Sequence, residues 1–238
     1  LRYRCSCLLI EQYGYRRRLL RLYRRHRQLC IRCRSSVSFL PRQGKRAGAA
    51  RAAPLAHEQL TGEIIGEKWL LSDNFKESTS GKSYVYKAFR CNGDGSPQGD
   101  PVIVKISANT EALERESQNY DTIGDNNKSN LFVSVLDYLP EADPTTAKFQ
   151  DKSAIVMERG TQDLKSFIQD NGPLEGKQLQ EKAENTARCV EAVHNRNMVW
   201  TDIKAENFVV SEDGNSVKGI DLESAVPVRG NPLDYSLE

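Results

Sequence analysis

The polar stretch Thr201-Asp-Ile-Lys-Ala-Glu-Asn207 carries an aspartate, a lysine two residues later and an asparagine five residues after the aspartate. A carboxylate, an ammonium and a carboxamide so close together offer a charged reactant both donors and acceptors from one loop. Asp221 follows nineteen residues beyond Asp202, at the end of the apolar run Val217 to Ile220. A fourth charged group, Lys105, is set in the apolar stretch Val102-Ile-Val-Lys-Ile106. Cysteine is the other reactive type, with Cys5, Cys7, Cys30 and Cys33 near the start and only Cys91 and Cys189 beyond. Four thiolates suit tetrahedral zinc, but only Cys30 and Cys33 have the usual gap and no turn-forming glycine accompanies them. The pattern is no disulfide framework either.

The elements that must hold these residues begin at Trp69. Lys68 to Leu71, Ser83 to Phe89 and Val102 to Ile106 read as strands, being short apolar runs bounded by turn residues. Cys91 to Pro101, rich in glycine and proline, reads as an extended hairpin loop. Asn109 or Thr110 can cap a helix with Leu113, Tyr120 and Ile123 on its apolar face beside Glu116. Strands are expected again over Phe132 to Tyr138 and Ser153 to Met157. A helix over 174 to 194 follows, with Leu179, Ala183, Ala187, Val190 and Val193 as its buried stripe. A turn at Asp213-Gly214 and a strand over Val217 to Ile220 lead to Asp221. Five strands with one helix, then a helical part with a small hairpin, is an α+β order that suggests two lobes.

Trp200-Thr-Asp-Ile-Lys-Ala-Glu-Asn207 resembles the catalytic loop of the eukaryotic-type protein kinases, and Ile220-Asp-Leu-Glu223 is similar to their metal-binding DFG segment. Val102-Ile-Val-Lys105 resembles the VAIK strand, Glu116 the helix glutamate that pairs with its lysine, and Ile155-Val-Met-Glu158 the strand entering the hinge. The resemblance implies a bilobal kinase-like fold and transfer of the γ-phosphoryl group of ATP, with Mg²⁺, to a protein hydroxyl. It implies that Lys105 holds the α- and β-phosphates, aimed by Glu116, with Glu114 or Glu111 as alternative partners, and that Asn207 and Asp221 coordinate Mg²⁺. Asp202 would take or orient the proton of the attacking hydroxyl, and Lys204 would steady the γ-phosphate, as in the serine/threonine branch. Ser80, Gly81, Ser83 and Val85 would lie over the nucleotide, with Met157, Glu158 and Gly160 around the adenine. A methionine ending an apolar strand is otherwise plain core.

The sequence also departs from the kinase pattern. The three glycine positions of the phosphate loop hold Ser78, Ser80 and Ser83, with Gly81 nearby. A Cβ hinders backbone approach to phosphate, so binding should be looser, although hydroxyls can donate. Gly81-Lys82-Ser83 has the ending of a P-loop, but the motif's first glycine is missing and a strand rather than a helix follows. Ile103 stands where a small residue leaves room for adenine, Trp200-Thr201 replaces His-Arg, and Glu223 replaces the DFG glycine. Losing that arginine argues against activation by loop phosphorylation, and Glu223 restricts flipping of the metal aspartate. Ser236-Leu-Glu238 resembles the end of the activation segment, so the kinase part, 65–238, is expected to lack the later lower-lobe helices. A non-catalytic pseudokinase or binding module is the alternative reading, and a small-molecule kinase a third that Lys204 disfavours.

Net charge is +2, yet residues 1 to 51 hold 15 Lys and Arg against the single acid Glu11, which leaves an acidic remainder. Residues 1–60 therefore read as a separate basic arm. Its arginines and tyrosines could meet RNA or an anionic membrane. The acid-poor composition running into Ala47-Gly-Ala-Ala-Arg-Ala-Ala-Pro54 fits an organelle transit peptide better, and translated sequence without a working role is the third possibility. The expected partners are ATP and a protein substrate, with no nucleic acid and no membrane span, because arginines interrupt the most leucine-rich stretch. The expected location is intracellular, cytoplasmic or, if the arm is a transit peptide, chloroplast or mitochondrion.

Overall fold

The structure, a computed structural model, describes residues 60–77, 83–124, 130–142, 149–212 and 214–228. The basic arm, the arm's four cysteines, Ser78, Ser80, Gly81 and residues 229–238 lie outside the described residues. The described chain falls into two compact units, one of residues 60–114 and 135–158, the other of 115–134 and 159–228. This is the expected α+β order.

The first unit is built on an antiparallel sheet of β1 (Ile64–Ile65), β2 (Trp69–Glu77), β3 (Ser83–Cys91), β4 (Pro97–Ser107), β5 (Val135–Leu139) and β6 (Ser153–Glu158). Their order is β1-β2-β3-β4-β6-β5, one strand more than expected, the addition being the two-residue β1. Alternation sorts the side chains. Tyr84, Tyr86 and Ala88 of β3, Val102, Val104 and Ile106 of β4, and Ala154 and Val156 of β6 are buried in one core with Ile65, Leu71 and Phe149.

The sheet curls until β2 and β5 meet through their side chains. The indole Nε1 of Trp69 donates to Asp137 Oδ2 at 3.0 Å, and Lys68 Nζ lies 2.8 Å from the same oxygen. Gly66, at φ +56°, donates its N–H to Ala142 O, and a Cβ there would come within 2.8 Å of Leu139. Glycine thus serves both the left-handed turn and the closure.

Two sequence expectations need correcting in this unit. The loop expected over 91–101 is mostly strand, because β3 and β4 pair as far as Cys91↔Pro97 and the turn is confined to 92–96. Asp94 Oδ1 ties that turn by accepting from Ser96 N at 2.9 Å and Ser96 Oγ at 2.6 Å. The glycine and proline that argued against a strand sit in an irregularity between Gln98 and Val102, where Gly99 has φ +73°. Pairing with β6 starts only at Val102, so the missing N–H of Pro101 costs no ladder bond there. The strand expected from Phe132 begins at Val135. Gly219 occupies the backbone ahead of it, donating to Leu131 O at 2.8 Å and accepting from Val133 N at 3.3 Å.

Helix α1 (Thr110–Gly124) starts at Asn109, whose Oδ1 accepts from Ala112 N at 3.2 Å. Its buried positions include Leu113, Glu116, Tyr120 and Ile123, as expected, together with Asn119.

The second unit contains α2 (Leu164–Asn171) and α3 (Gly176–Asn195) with short strands β7 (Gln162–Asp163), β8 (Met198–Trp200), β9 (Phe208–Val210), β10 (Val217–Gly219) and β11 (Ala225–Pro227). Asp163 caps α2 by accepting from Ser166 N at 2.9 Å. The buried face of α3 is turned from the expected stripe. Leu179, Ala187 and Val193 are buried, Ala183 and Val190 are half-buried, and Lys182, Cys189 and His194 are buried instead. Lys182 reaches Gly214 O at 2.5 Å and lies 4.8 Å from the centre of the Phe167 ring, and Cys189 Sγ bonds Leu131 O at 3.1 Å. Polar groups with such partners can be buried at little cost, which hydropathy alone does not register. Burial pushes the Cys189 thiol up to about 12. Among the described residues no helix is long and apolar enough to cross a membrane.

Candidate functional site

On the sheet, the side chains opposite the core form a second face. Ser83, Val85 and Lys87 of β3 alternate with the core tyrosines, as do Ile103 and Lys105 on β4 and Ile155 and Met157 on β6. Register aligns Val85, Lys105 and Ile155 in one row, and Lys87, Ile103, Met157 and Val135 in the next. Ser83, Val85, Lys105 and Met157, selected from distant parts of the sequence, therefore share one face. Glu158 ends β6 opposite Val102. Ile103 lies beside Met157 on this face, so the large residue the sequence flagged lines it directly.

In the second unit the polar loop is a tight structure. Lys204 Nζ lies 3.1 Å from Asp202 Oδ2, both groups about one-third exposed. The buried Asn207 donates through Nδ2 to Asp202 O at 2.7 Å, and its backbone N–H returns to Lys204 O at 3.0 Å, closing a 3₁₀ turn over 205–207. Lys165 of α2 pins this turn through an ion pair of 2.7 Å with Glu206. Burial works to raise the Glu206 carboxyl, but the hydrogen bond from Lys165, a backbone bond and the nearby lysine charges hold it below the usual range.

The Asp221 segment is anchored beside this loop. Ile220 N donates to Asn207 O at 2.9 Å, and the Asp221 N–H to the Tyr120 hydroxyl at 3.1 Å. Asp221 itself is left-handed, at φ 63° and ψ 59°. Below it, the fully buried Trp200 packs between Phe132 and Phe208, with ring centres 6.2 and 5.3 Å away. A Cβ on Gly219 would lie 2.7 Å from the Phe132 ring, so the strand leading to Asp221 needs glycine at that point. Gly160 is similarly tight, since a Cβ there would fall 2.5 Å from Val209.

One carboxylate oxygen each from Glu116, Asp221 and Glu223 lie within 4.8 Å of one another, a set of hard donors able to hold a divalent cation. Of the three glutamates weighed on α1, Glu116 is buried, at 1% exposure, whereas Glu111 and Glu114 are exposed.

Residues 96–234 match the family model of the protein kinase domain. The chain belongs to the protein kinase family. The match takes in Lys105, Glu116, Met157, Asp202, Lys204, Asn207 and Asp221, and begins after Ser83 and Val85. As a kinase domain it departs from the sequence reading chiefly in what surrounds the motif residues. Asn119 donates to Leu222 O, the Tyr120 hydroxyl accepts from Asp221 N, Ser224 Oγ accepts from Asp202 N and Thr201 Oγ1 donates to Ser224 O, and none was singled out for that from sequence. Their signal was faint, because which polar residues of α1 turn inward toward the Asp221 segment depends on helix phase.

Proposed function

We propose that this kinase domain is an active serine/threonine kinase that transfers the γ-phosphoryl group of ATP to a protein hydroxyl. The observation that supports it most is the interlocking of Asp202, Lys204 and Asn207 on one loop with Asp221 anchored to the same loop. The substrate oxygen forms a bond to the γ-phosphorus as the bond to the β,γ-bridging oxygen breaks, ADP leaves, and the hydroxyl proton passes to Asp202. Lys204, 3.1 Å from that carboxylate, carries the charge that steadies the transferring group while keeping Asp202 oriented. Asn207, its amide nitrogen engaged by Asp202 O, offers its amide oxygen to a cation, and Asp221 offers a carboxylate.

The donor set suits Mg²⁺, because hard oxygens are what this ion selects and Glu116 and Glu223 add carboxylates near Asp221. Mg²⁺ bound there supplies neutralisation of the polyphosphate charge. On the sheet, Lys105 takes the α- and β-phosphates, Val85 and Met157 the adenine, and the backbone at Glu158 and Gly160 the purine edge. Ser83, on the same face as Val85 and Lys105, meets the phosphates, and Ser80 and Gly81 are assigned there on sequence alone. The proposed organisation is a kinase domain from residue 65 onward with a separate basic arm.

Asp202→Asn should abolish transfer to a basic protein substrate while leaving ATP affinity unchanged, and Lys105→Met should weaken both. Transfer that survives Asp202→Asn overturns the role of that residue, and phosphotyrosine as the sole product overturns the branch. The alternative, a kinase-like binding module, draws support from Ile103 beside Met157 and from the serines of the phosphate loop. ATP binding without turnover under every metal condition would favour it.

A further inference from the structure

From Asp221 to Ala225, every backbone carbonyl is held by a side chain. Trp200 Nε1 donates to Asp221 O at 3.3 Å, Arg115 Nε to Glu223 O at 3.3 Å, and Thr201 Oγ1 to Ser224 O at 2.9 Å. The remaining two, Leu222 O and Ala225 O, are both served by Asn119 Nδ2, at 2.7 and 3.0 Å. The Asp221 N–H is taken by Tyr120, and Ser224 Oγ accepts from Asp202 N at 3.3 Å.

Asn119 is central to this arrangement. A carboxamide nitrogen has two hydrogens, and here both are spent on carbonyls three residues apart, across a turn of 3₁₀ helix over 222–224. Its burial, at 6% exposure, removes the water that would compete for them. No other residue type of this size can do the same. Aspartate would set a carboxylate against two carbonyl oxygens, and alanine would take the side-chain donor from both, leaving Leu222 O with the Ala225 N–H of the 3₁₀ turn.

We propose that Asn119 is a positioning residue that fixes the segment bearing Asp221 in a single conformation, making the metal aspartate a permanent part of the site rather than a switch. The inference rests on the reading of Asp221 as the metal ligand. Two departures from the kinase pattern agree with it. Thr201, at the position of the lost arginine, binds Ser224 instead of remaining for a loop phosphate, and Glu223, at the position of the DFG glycine, limits the backbone freedom a flip requires.

The test uses the full chain and two variants, Asn119→Ala and Tyr120→Phe, the second removing only a hydroxyl. Amide hydrogen exchange is followed over 221–226 and over α3, and the Mg²⁺ concentration for half-maximal ATP binding is measured alongside. Both variants should speed exchange over 221–226 by about tenfold, leave α3 unchanged and raise the Mg²⁺ requirement. Unchanged exchange over 221–226 in Tyr120→Phe, or an equal rise across α3, overturns the proposal. A wild-type chain that shows the local protection yet never transfers phosphate refutes the enzymatic reading and leaves the clamp standing. If Asn119→Ala fails to fold, Tyr120→Phe decides.

Discussion

Lys165 and Glu206 show what a single contact at the periphery contributes. The pair joins α2 to the turn that carries Asn207, yet Lys165 is 53% exposed, so solvent and salt screen it. Lys165→Met should therefore cost under about 1 kcal/mol of stability in low salt, and less in high salt, as read from urea unfolding at the two ionic strengths. The motif residues themselves were legible, because Asp202, Lys204 and Asn207 are local to one loop and their spacing survives any error about the surroundings. Asn119 was not. Its partners Leu222 and Ala225 are 103 and 106 residues away, and only the folded chain makes them neighbours.

At the scale of elements, Asp137 links β5 to β2. Burial works to raise its carboxyl, but hydrogen bonds from Lys68 and Trp69 and the Lys68 charge outweigh it and hold the group below the usual range. A carboxyl lowered on folding stabilises above its unfolded value, and that contribution disappears as pH falls through the folded value. Asp137→Asn should thus lower stability by about 1–2 kcal/mol at neutral pH, with the gap to the wild type closing in acid, measured by denaturant titration across pH. Strand positions were readable in β3 and β6 as short apolar runs bounded by turn residues. The start of β4 was hidden because Gly99 and Pro101 signal a break that a local irregularity absorbs. The phase of α3 was missed because Lys182 and Cys189 are buried through specific partners rather than through hydropathy.

For the molecule as a whole, charge separates the first 51 residues from the rest, and the kinase match begins well beyond them. We propose that the arm contributes nothing to the stability of the kinase domain. A chain beginning at residue 60 should melt within about 2 °C of the full chain, by scanning calorimetry. It should also lose salt-sensitive retention on an anionic matrix, since 15 basic residues leave with the arm. A shift of the melting midpoint well beyond that would mean that the arm packs on the domain.

The seam between Trp69 and Asp137 has a consequence for biosynthesis. Its two sides are 68 residues apart, so a nascent chain exposes the first hairpins of the sheet long before the closing strand emerges from the ribosome. Until then Lys68 and Trp69 are without the Asp137 carboxylate that joins β2 to β5 in the finished sheet. A variant that weakens this seam should therefore be noticed as aggregation during synthesis as well as in the stability of the finished fold.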